Sequence, residues 1–424
     1  MYKTYLFKSK LKMAKKDNFS ILFLSGDFTY NRGDRGNMAS AVKLLKKRFP
    51  KAQISALSYN PEKDEKWIPV KMIPTGLKGT MKQLIAIAKA DIIIWGGGGP
   101  IQDNASWVKP PYWVLKLFLV RLLGCRIMAW AQGVGPIERK VSMKLAKIAF
   151  RMTDVITVRN DFSIRNLKRI GVTKIPYFKT ADPAFCLQPS NPEVGRGILN
   201  RIKKGKNKIC IGVAVCFCSF HYRKNDIIPY MIAKPLGLRN NRVSEREIYF
   251  IKNMSKFLDK LINKFNVDIV LLPTYLAPWE KDIEKTKEII SLMKNKDNVS
   301  FLDKDNTSPE DYLSLIGQFD YFIGTPMHST IFSTCMNVPT INIAYEPKCI
   351  DYFRDMLEME EYLYDINRLI KDDWKELLNI FEKLMKNKLE IKDKLIKKTD
   401  AFKKKVLENV DILETTFFGE NYKK

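Results

Sequence analysis

The sequence contains very little histidine and no cysteine arrangement typical of a metal site. Only 2 of its 424 residues are histidine, and its 7 cysteines form no C-x-x-C pair. An odd number of scattered cysteines argues against a disulfide framework and against a structural zinc site, so we expect a reducing compartment and no bound metal. Cys216 and Cys218 could form a metal or redox pair, but no second pair accompanies them, and their surroundings favour strand residues.

Long apolar runs are also missing. No stretch approaches the ~20 uninterrupted apolar residues that a membrane-spanning helix needs. The first 16 residues carry six lysines and do not resemble a secretion signal, so we expect a cytoplasmic protein, with peripheral contact at the inner face of an anionic membrane as an open alternative. Residues 113–123 (WVLKLFLVRLL) are too short to span, and they form either a core helix or a membrane-surface helix.

Acidic residues are scarce relative to basic ones. The 46 Asp and Glu against 73 Lys and Arg give a formal net charge of +27. Such an excess favours anionic partners, namely nucleic acid, an anionic membrane or phosphorylated small molecules. Because Lys far outnumbers Arg, and Ile and Asn are also common, part of the excess could instead reflect genome composition, and both interpretations stay open.

The length and the order of apolar runs indicate two folded domains. Short apolar runs alternate with helical patterns, which predicts an α/β protein with parallel sheets. We divide the chain into a basic leader (1–18), an N-terminal α/β domain (19–188), a linker (189–208), a C-terminal α/β domain (209–355) and a helical tail (356–424). Open parallel sheets bind ligands at the carboxyl ends of their strands, so we expect the ligand between the two domains.

Two glycine-rich turns follow predicted strands. Residues 96–99 are four glycines directly after the strand DIIIW, and residues 132–136 (QGVGP) end another strand. Glycine there lets bare backbone N–H groups approach a phosphate or carboxylate, although a tight turn without a ligand is the simpler interpretation. Neither turn matches the dinucleotide fingerprint or the P-loop, so those functions are not supported.

Two further polar loops contain candidate catalytic groups. In the loop 31–37 (NRGDRGN), Asp34 is either a helix N-cap or a carboxylate that accepts a proton from a sugar hydroxyl. His328 lies in a polar turn between a strand and an apolar helix, where it either packs and caps or donates a proton and binds an anion. Lys348 follows the strand TINIA at a position suited to a phosphate.

The ordered set of these segments resembles the polysaccharide pyruvyl transferase family. The resemblance is collinear over about residues 19–355, and together the segments are specific although each alone is weak. It rests on NRGD at 31, DIIIWGGGG at 91, WAQGVGP at 130, VRNDFS at 158, TADPAF at 180, MHSTIF at 327 and VPTINIAYEPK at 338.

This resemblance implies a fold, a reaction and a set of residues. The fold is two Rossmann-like domains facing across a cleft, similar to the GT-B glycosyltransferases, with a helical C-terminal tail. The reaction moves a pyruvyl group from phosphoenolpyruvate to two hydroxyls of a sugar as a ketal, without a metal, nucleotide or other cofactor. The histidine that contacts the donor in the family maps onto His328, which is the candidate catalytic acid or phosphate contact, and Asp34 is the candidate catalytic base. The candidate substrate-binding residues are Asn31, Gly33, Gly97, Gly98, Gln132, Gly133, Arg159, Arg223, Ser329, Tyr345 and Lys348.

The sequence departs from the family pattern at two positions. The family usually has an arginine two residues before the His328 position and another at the end of the first strand of the second domain. Here those positions hold Pro326 and Cys216. The candidate replacements are Arg223, Lys224 and Lys348, although Arg223 and Lys224 could equally be ordinary surface cations.

The sequence therefore supports a first function and two alternatives. The first is a pyruvyl transferase that acts on a cell-surface polysaccharide precursor, possibly attached to a polyprenyl phosphate carrier. The second is an enzyme of the same fold that uses another donor, such as a nucleotide sugar. The third is a saccharide-binding protein or a nucleic-acid binder, but no zinc-finger, RRM or KH signature supports nucleic acid.

Overall fold

The computed structural model describes residues 18–25, 27–76, 79–96, 98–103, 107–217, 220, 244–277, 281–372 and 374–419. Gly97, Cys218, His221, Arg223 and Lys224 lie outside the described residues, so the expectations for them stay predictions.

The N-terminal domain is built on a parallel sheet of seven strands in the order β3-β2-β1-β4-β5-β6-β7. The central strands are buried on both faces, which explains their continuous apolar sequences. The edge strands β3 and β7 are short and partly polar, so the apolar runs of the sequence do not reveal them. The strands are β1 (Ser20–Phe23), β2 (Gln53–Ser58), β3 (Lys71–Pro74), β4 (Ile92–Gly96), β5 (Arg126–Gln132), β6 (Val155–Val158) and β7 (Tyr177–Lys179).

Helices cover both faces of this sheet. One face carries α1, whose buried residues join the main core, and the other carries α3, α4, α5 and α6, which enclose a second core. The helices are α1 (Arg32–Arg48), α2 (Pro61–Glu65), α3 (Thr80–Lys89), α4 (Lys109–Leu122), α5 (Lys140–Arg151) and α6 (Asp161–Arg169).

The C-terminal domain repeats the architecture with six parallel strands in the order β10-β9-β8-β11-β12-β13. The strands are β8 (Ile209–Ala214), β9 (Val267–Leu271), β10 (Val299–Phe301), β11 (Tyr321–Gly324), β12 (Thr340–Ala344) and β13 (Leu363–Asp365). Its helices are α8 (Glu245–Phe265), α9 (Asp282–Leu292), α10 (Pro309–Ile316), α11 (Met327–Cys335), α12 (Pro347–Ile350) and α13 (Ile366–Ile370).

The segments outside these two sheets are more ordered than their composition indicates. The stretch that we assigned to a linker contains α7 (Pro192–Ile202), which begins with an Asn191 cap and packs closely on α10 through Gly195. The stretch that we assigned to a helical tail (356–424) contains α14 (Trp374–Lys386) and α15 (Lys388–Phe418), but it also contains the strand β13, which completes the second sheet.

Helix α15 runs back to the N-terminal domain. The Asn409 amide donates to the Ala181 carbonyl at 3.3 Å, and its oxygen accepts from the Thr180 hydroxyl at 2.8 Å. Near the end of the helix, the Arg126 guanidinium donates to the Phe417 carbonyl at 2.7 Å. The tail therefore ties the two domains together.

Helix α4 contains the apolar stretch 113–123. Its inner face, with Trp113, Leu117 and Val120, is buried in the second core, so this face is that of a core helix. Its outer face exposes Leu115 and Leu122. Among the helices that the structure describes, none is both long and apolar enough to cross a lipid bilayer.

Candidate active site

A cavity of about 170 Å³ lies between the two domains. Its walls come from residues that directly follow strands: Gly98 after β4 and Arg159 after β6 on one side, and Cys216 after β8, Pro326 after β11 and Tyr345 after β12 on the other. The carboxyl ends of both parallel sheets therefore face one cleft, as the sequence predicts.

His328 stands at the centre of this cavity with a carboxylate at each ring nitrogen. Its Nδ1 lies 3.4 Å from Asp34 Oδ1, and its Nε2 lies 3.4 Å from Asp182 Oδ2. The Arg159 guanidinium also approaches Nε2, at 3.4 Å. The imidazole therefore lies between two carboxylates and beside a guanidinium, and imidazole is the side chain most often used for proton transfer near neutral pH. The structure thus brings the two predicted catalytic residues together.

Asp182 is the buried carboxylate that organises this group. It accepts hydrogen bonds from Arg159 at 2.5 Å, from the Asn37 amide at 2.5 Å and from the Ala184 backbone at 3.0 Å. Burial by itself would raise the pKa of the Asp182 carboxyl, but the Arg159 guanidinium and His328 hold it well below its usual range. The motif TADPAF carries this residue, yet no role for it follows from the sequence, because its partners come from distant segments.

Asn31 rather than Asp34 is the N-cap of α1. The Asn31 side-chain oxygen accepts from the backbone of Gly33 at 2.9 Å and of Asp34 at 3.3 Å. The N-cap interpretation of Asp34 is therefore wrong, and its carboxylate instead lines the cavity beside His328. Asn31 also lines the cavity, but its oxygen is already used by the cap.

The two arginines of the NRGDRGN loop point away from the cavity. Arg32 donates to the Lys304 carbonyl at 2.8 Å, and Arg35 forms a two-pronged contact with Asp305 at 2.8 and 2.9 Å. Both side chains are buried. They hold α1 against the C-terminal domain and do not supply cations to a ligand.

Gly33 is required by packing. A Cβ atom at Gly33 would lie 2.3 Å from the Cβ of His328, and one at Gly36 would lie 2.6 Å from the Phe332 ring. Helix α1 thus contacts α11 through its glycines, and this contact places Asp34 beside His328. The structure gives Gly33 a positioning role, and its predicted contact with substrate stays a prediction.

The two glycine turns pack on each other. The Gly133 backbone donates to the Gly98 carbonyl at 2.8 Å, and a Cβ at Gly133 would lie 2.9 Å from the Arg159 guanidinium. Gly98 lines the cavity, whereas Gly133 supports Arg159 from behind. Gln132 is fully buried, and its amide has no hydrogen-bond partner among the described residues.

Tyr345 and Lys348 are placed in the cavity wall as predicted, but Lys348 is paired. Its ammonium lies 2.6 Å from the Glu346 carboxylate and 5.9 Å from the Tyr345 ring centre. Burial opposes the charge of this ammonium, but the Glu346 carboxylate raises the pKa of Lys348 above its usual value. The site therefore holds a lysine that is fully charged and already neutralised by a neighbour.

Both departures from the family pattern face the ligand space. Cys216 and Pro326 line the cavity, and the Cys216 backbone donates to the Thr325 hydroxyl at 2.8 Å. Ser329 does not line it, since its hydroxyl is fully buried and donates back to the Pro326 carbonyl at 2.7 Å.

Lys109 is a cavity residue that sequence reasoning missed. It begins α4, where a cation opposes the helix dipole, and this unfavourable placement is the signal that could have identified it. Among the described residues, the lysines and arginines lining the cavity are Lys109, Arg159 and Lys348. No three His, Cys, Asp or Glu side chains in the described ranges are gathered to hold a metal ion.

The comparison with protein families found one matching model. The family described as polysaccharide pyruvyl transferase matches residues 31–347, which is most of the chain. A comparison with curated protein sequences found no match.

Solved structures with the same architecture are GT-B-like enzymes of low sequence identity. A putative UDP-N-acetylglucosamine 2-epimerase from Listeria monocytogenes has a TM-score of 0.58 at 12% identity, covering 94% of this chain and 97% of that one. Anabaena HepE, solved with UDP-glucose, has a TM-score of 0.57 at 11% identity, covering 93% and 99%. UDP-GlcNAc 2-epimerase from Methanocaldococcus jannaschii has a TM-score of 0.55 at 12% identity, covering 86% and 92%. These likenesses establish the fold.

Proposed function

The chain belongs to the polysaccharide pyruvyl transferase family and is a transferase, and from this premise we propose that it transfers a pyruvyl group from phosphoenolpyruvate to two hydroxyls of a saccharide. The observation that carries the proposal is the placement of His328 between Asp34 and Asp182 inside the interdomain cavity.

His328 is the proposed proton donor. Protonation of the donor's methylene carbon gives a methyl group and an oxocarbenium-like carbon, which one sugar hydroxyl attacks. The C–O bond to phosphate then breaks, and a second hydroxyl closes the ketal. Of the two hydroxyl protons, one replaces the proton that His328 gave and the other leaves with phosphate. Asp34, 3.4 Å from the imidazole, is the proposed base for a hydroxyl proton.

The donor's phosphate and carboxylate need cationic side chains to bind them, and the described part of the cavity wall contains Lys109, Arg159 and Lys348. Arg159 and Lys348 are each paired with a carboxylate, whereas Lys109 forms no ion pair with a carboxylate in the part of the chain that the structure describes. We assign Lys109 as a phosphate contact, together with the backbone at Gly98 and Gly99, which line the same wall. Arg223, outside the described residues, remains a further candidate.

Gln132 is the proposed polar group beneath the donor. A fully buried amide without a partner costs free energy unless a bound group satisfies it. Gln132 lies at the end of β5, next to the glycine turns, but like Ser329 it is fully buried and does not line the cavity, so its contact with substrate stays a prediction.

The acceptor is proposed to be a sugar of a cell-surface polysaccharide precursor. The net charge of +27 suits an acceptor that is attached to a polyprenyl phosphate, which the protein would meet at the cytoplasmic face of the membrane.

A different donor is the second candidate, and Cys216 and Pro326 favour it. Both residues line the cavity, at the two positions where the family pattern has arginines whose guanidiniums would bind an anion. Anabaena HepE, which has the same fold, was solved with UDP-glucose, so a nucleotide sugar is the donor class to test.

A thermal-shift comparison separates the two donors. Millimolar phosphoenolpyruvate should raise the melting temperature, because a ligand that binds only the folded state stabilises it by mass action. UDP-sugars should give no shift. A shift with a UDP-sugar and none with phosphoenolpyruvate would mean that the donor is a nucleotide sugar and not phosphoenolpyruvate.

Lys109→Ala tests the assigned phosphate contact. Loss of a charged hydrogen bond should weaken phosphoenolpyruvate binding by about 1.5–3 kcal/mol in a calorimetric titration. Lys397→Ala, which removes an exposed lysine of α15, is the control and should bind like the parent. Equal affinities for all three proteins would remove Lys109 from the site.

A further inference from the structure

The outer surface of the N-terminal domain contains three helices without a single acidic residue. Helices α3, α4 and α5 read TMKQLIAIAK, KPPYWVLKLFLVRL and KVSMKLAKIAFR, with two, three and four lysines or arginines respectively. The exposed cations are Lys82, Lys89, Lys140, Lys144 and Arg151. The long basic helix α15, by contrast, carries acidic residues among its lysines.

The same helices expose large apolar side chains between the cations. Leu115 and Leu122 of α4 are 60% and 58% exposed, Val141 of α5 is 68% exposed, and Met81 of α3 is 68% exposed. Leu115 and Leu122 are seven residues apart, so they lie on the same side of α4. We call these three outer sides the α3–α5 face.

The α3–α5 face is fixed to the domain core. Ile87 of α3, Trp113 and Leu117 of α4, and Ala146 of α5 are buried together against one side of the sheet. The outward apolar residues are therefore held in place by the packing of the inward ones, and the face is preformed.

This face also reaches the cavity. Helix α4 begins with Lys109, which lines the cavity, and its exposed residues Leu115 and Leu122 follow along the same helix. At a rise of about 1.5 Å per residue, Leu115 lies roughly 9 Å along the axis from Lys109. The face therefore begins at the cavity wall.

We propose that the α3–α5 face docks the protein on a lipid bilayer that contains anionic lipids. Leucine, valine and methionine side chains insert at the boundary between headgroups and acyl chains, while the surrounding lysines contact the acidic headgroups. This inference rests on the surface alone and does not require the reaction proposed above.

Two other occupants fit the face less well. A symmetric contact with a second copy would bring two faces of the same charge together without acids to compensate. Single-stranded nucleic acid needs a series of aromatic rings for base stacking. The face exposes two, Tyr112 and Phe118, and its other large exposed apolar side chains are aliphatic or thioether: Met81, Leu84, Ile85, Leu115, Leu119, Leu122, Val141 and Ile148.

Vesicle co-sedimentation of the full chain tests the proposal. The protein should sediment with phosphatidylcholine vesicles containing phosphatidylglycerol, and binding should be at least ~10-fold weaker with phosphatidylcholine alone or in high salt. The double substitution L115E/L122E should also reduce binding by ~10-fold or more, because it removes two insertion sites and adds negative charge. Leu389→Glu, at a position of α15 that is 78% exposed, is the control and should bind like the parent.

Several results would overturn the proposal. These are equal sedimentation with both vesicle types, unchanged sedimentation of L115E/L122E, or loss of sedimentation with Leu389→Glu as well. Light scattering of the parent and of L115E/L122E tests whether a second copy of the chain occupies the face. A parent dimer that becomes a monomer in the variant would assign the face to that second copy. Thermal unfolding verifies that each variant is folded. Phosphoenolpyruvate binding, measured separately, reports on the proposed reaction, so failure of one is distinguishable from failure of the other.

Discussion

At the scale of single residues, the centre of the site is the imidazole of His328, with one carboxylate near each of its two ring nitrogens. Asp34 is partly exposed and lines the cavity, whereas Asp182 is buried and already holds Arg159 and Asn37. The two acids therefore have different tasks. Asp34 is the proposed base for a bound hydroxyl, and Asp182 holds the Arg159 guanidinium beside the ring.

Replacing His328 with alanine should remove most of the activity. Loss of a proton donor or anion contact lowers turnover by a factor on the order of 10² or more, and pyruvyl-transfer kinetics will measure it. Ser329→Ala is the matched control on the same helix turn, because the Ser329 hydroxyl is fully buried and bonded to Pro326. It should cost stability but little turnover. If both variants lost activity equally, His328 would have only a structural role.

Asp182→Asn should destabilise the protein in a pH-dependent way. The variant leaves the Arg159 guanidinium buried without its charge partner, at a cost of about 3 kcal/mol near neutral pH. Because the pKa of Asp182 is lowered in the folded state, its stabilisation is fully present above the unfolded pKa of about 4 and is lost as the pH falls toward the folded pKa.

Urea denaturation of parent and variant across the pH range measures this effect. The difference in unfolding free energy should be constant from about pH 5 to pH 8 and should shrink below about pH 4. A difference that stays the same in acid would mean that the Asp182 carboxylate is not preferentially ionised in the native state.

At the scale of elements, the contact between α1 and α11 assembles the site. The Asn31 cap starts α1 so that Asp34 falls in its first turn, and the glycines of the same turn let α11 approach. Larger residues in place of these glycines would hold α1 and α11 farther apart, and Asp34 would then be separated from His328.

Gly33→Ala should therefore damage both stability and activity. Its Cβ would meet the His328 Cβ at 2.3 Å, and relieving such overpacking costs about 1–3 kcal/mol. Gly197→Ala in the exposed part of α7, where an added Cβ meets nothing within 4 Å, should instead stabilise by about 0.5–1 kcal/mol. Thermal unfolding and turnover of the two variants check this, and a Gly33→Ala protein as stable and active as the parent would contradict the contact.

At the scale of the whole molecule, the two domains are joined by buried polar contacts as well as by chain connections. Arg35 of α1 reaches across the boundary to Asp305, and Asp351 of the C-terminal domain accepts from the backbone of Phe162 at 3.0 Å and from Arg165 at 2.8 Å. Together with α15, these contacts set the width of the cleft.

A double-mutant cycle on Arg35 and Asp305 should measure this coupling. Burial alone would raise the pKa of Asp305, but its hydrogen bonds with Arg35 and Lys63 keep it well below its usual range. We expect a coupling energy of about 1.5–3 kcal/mol in unfolding experiments. The exposed pair Lys43–Glu310, which also crosses between the domains at 3.3 Å, is the control and should give less than about 0.5 kcal/mol. Similar values for both pairs would show that burial adds nothing to the contact.

The sequence by itself determined the central strands of both sheets and the edge at which the site lies, but not the edge strands β3, β7 and β13 or the helix α7. Apolar runs such as IIIWG in β4 can only be strands buried on both faces, and the glycines and polar residues that follow them identify the ligand-binding ends. His328, Asp34, Tyr345 and Lys348 could be found this way because each lies just after a strand or at the start of a helix that follows one. Their local sequence reveals that position without knowledge of the partners.

Only the tertiary structure decided which of these residues meet and what each one does. Contacts between segments far apart in the chain pair Asp182 with Arg159 and His328 and place Lys109 in the cavity wall. Tertiary contacts also direct the side chains of Arg32, Arg35 and Ser329 away from the cavity. A loop sequence fixes which groups are present, whereas their direction depends on the crossing of helices and the closeness of backbones. The contact between the glycines of α1 and helix α11 could not be predicted for the same reason. A close approach depends on the surfaces of both helices, and the sequence of one helix describes only one of these surfaces.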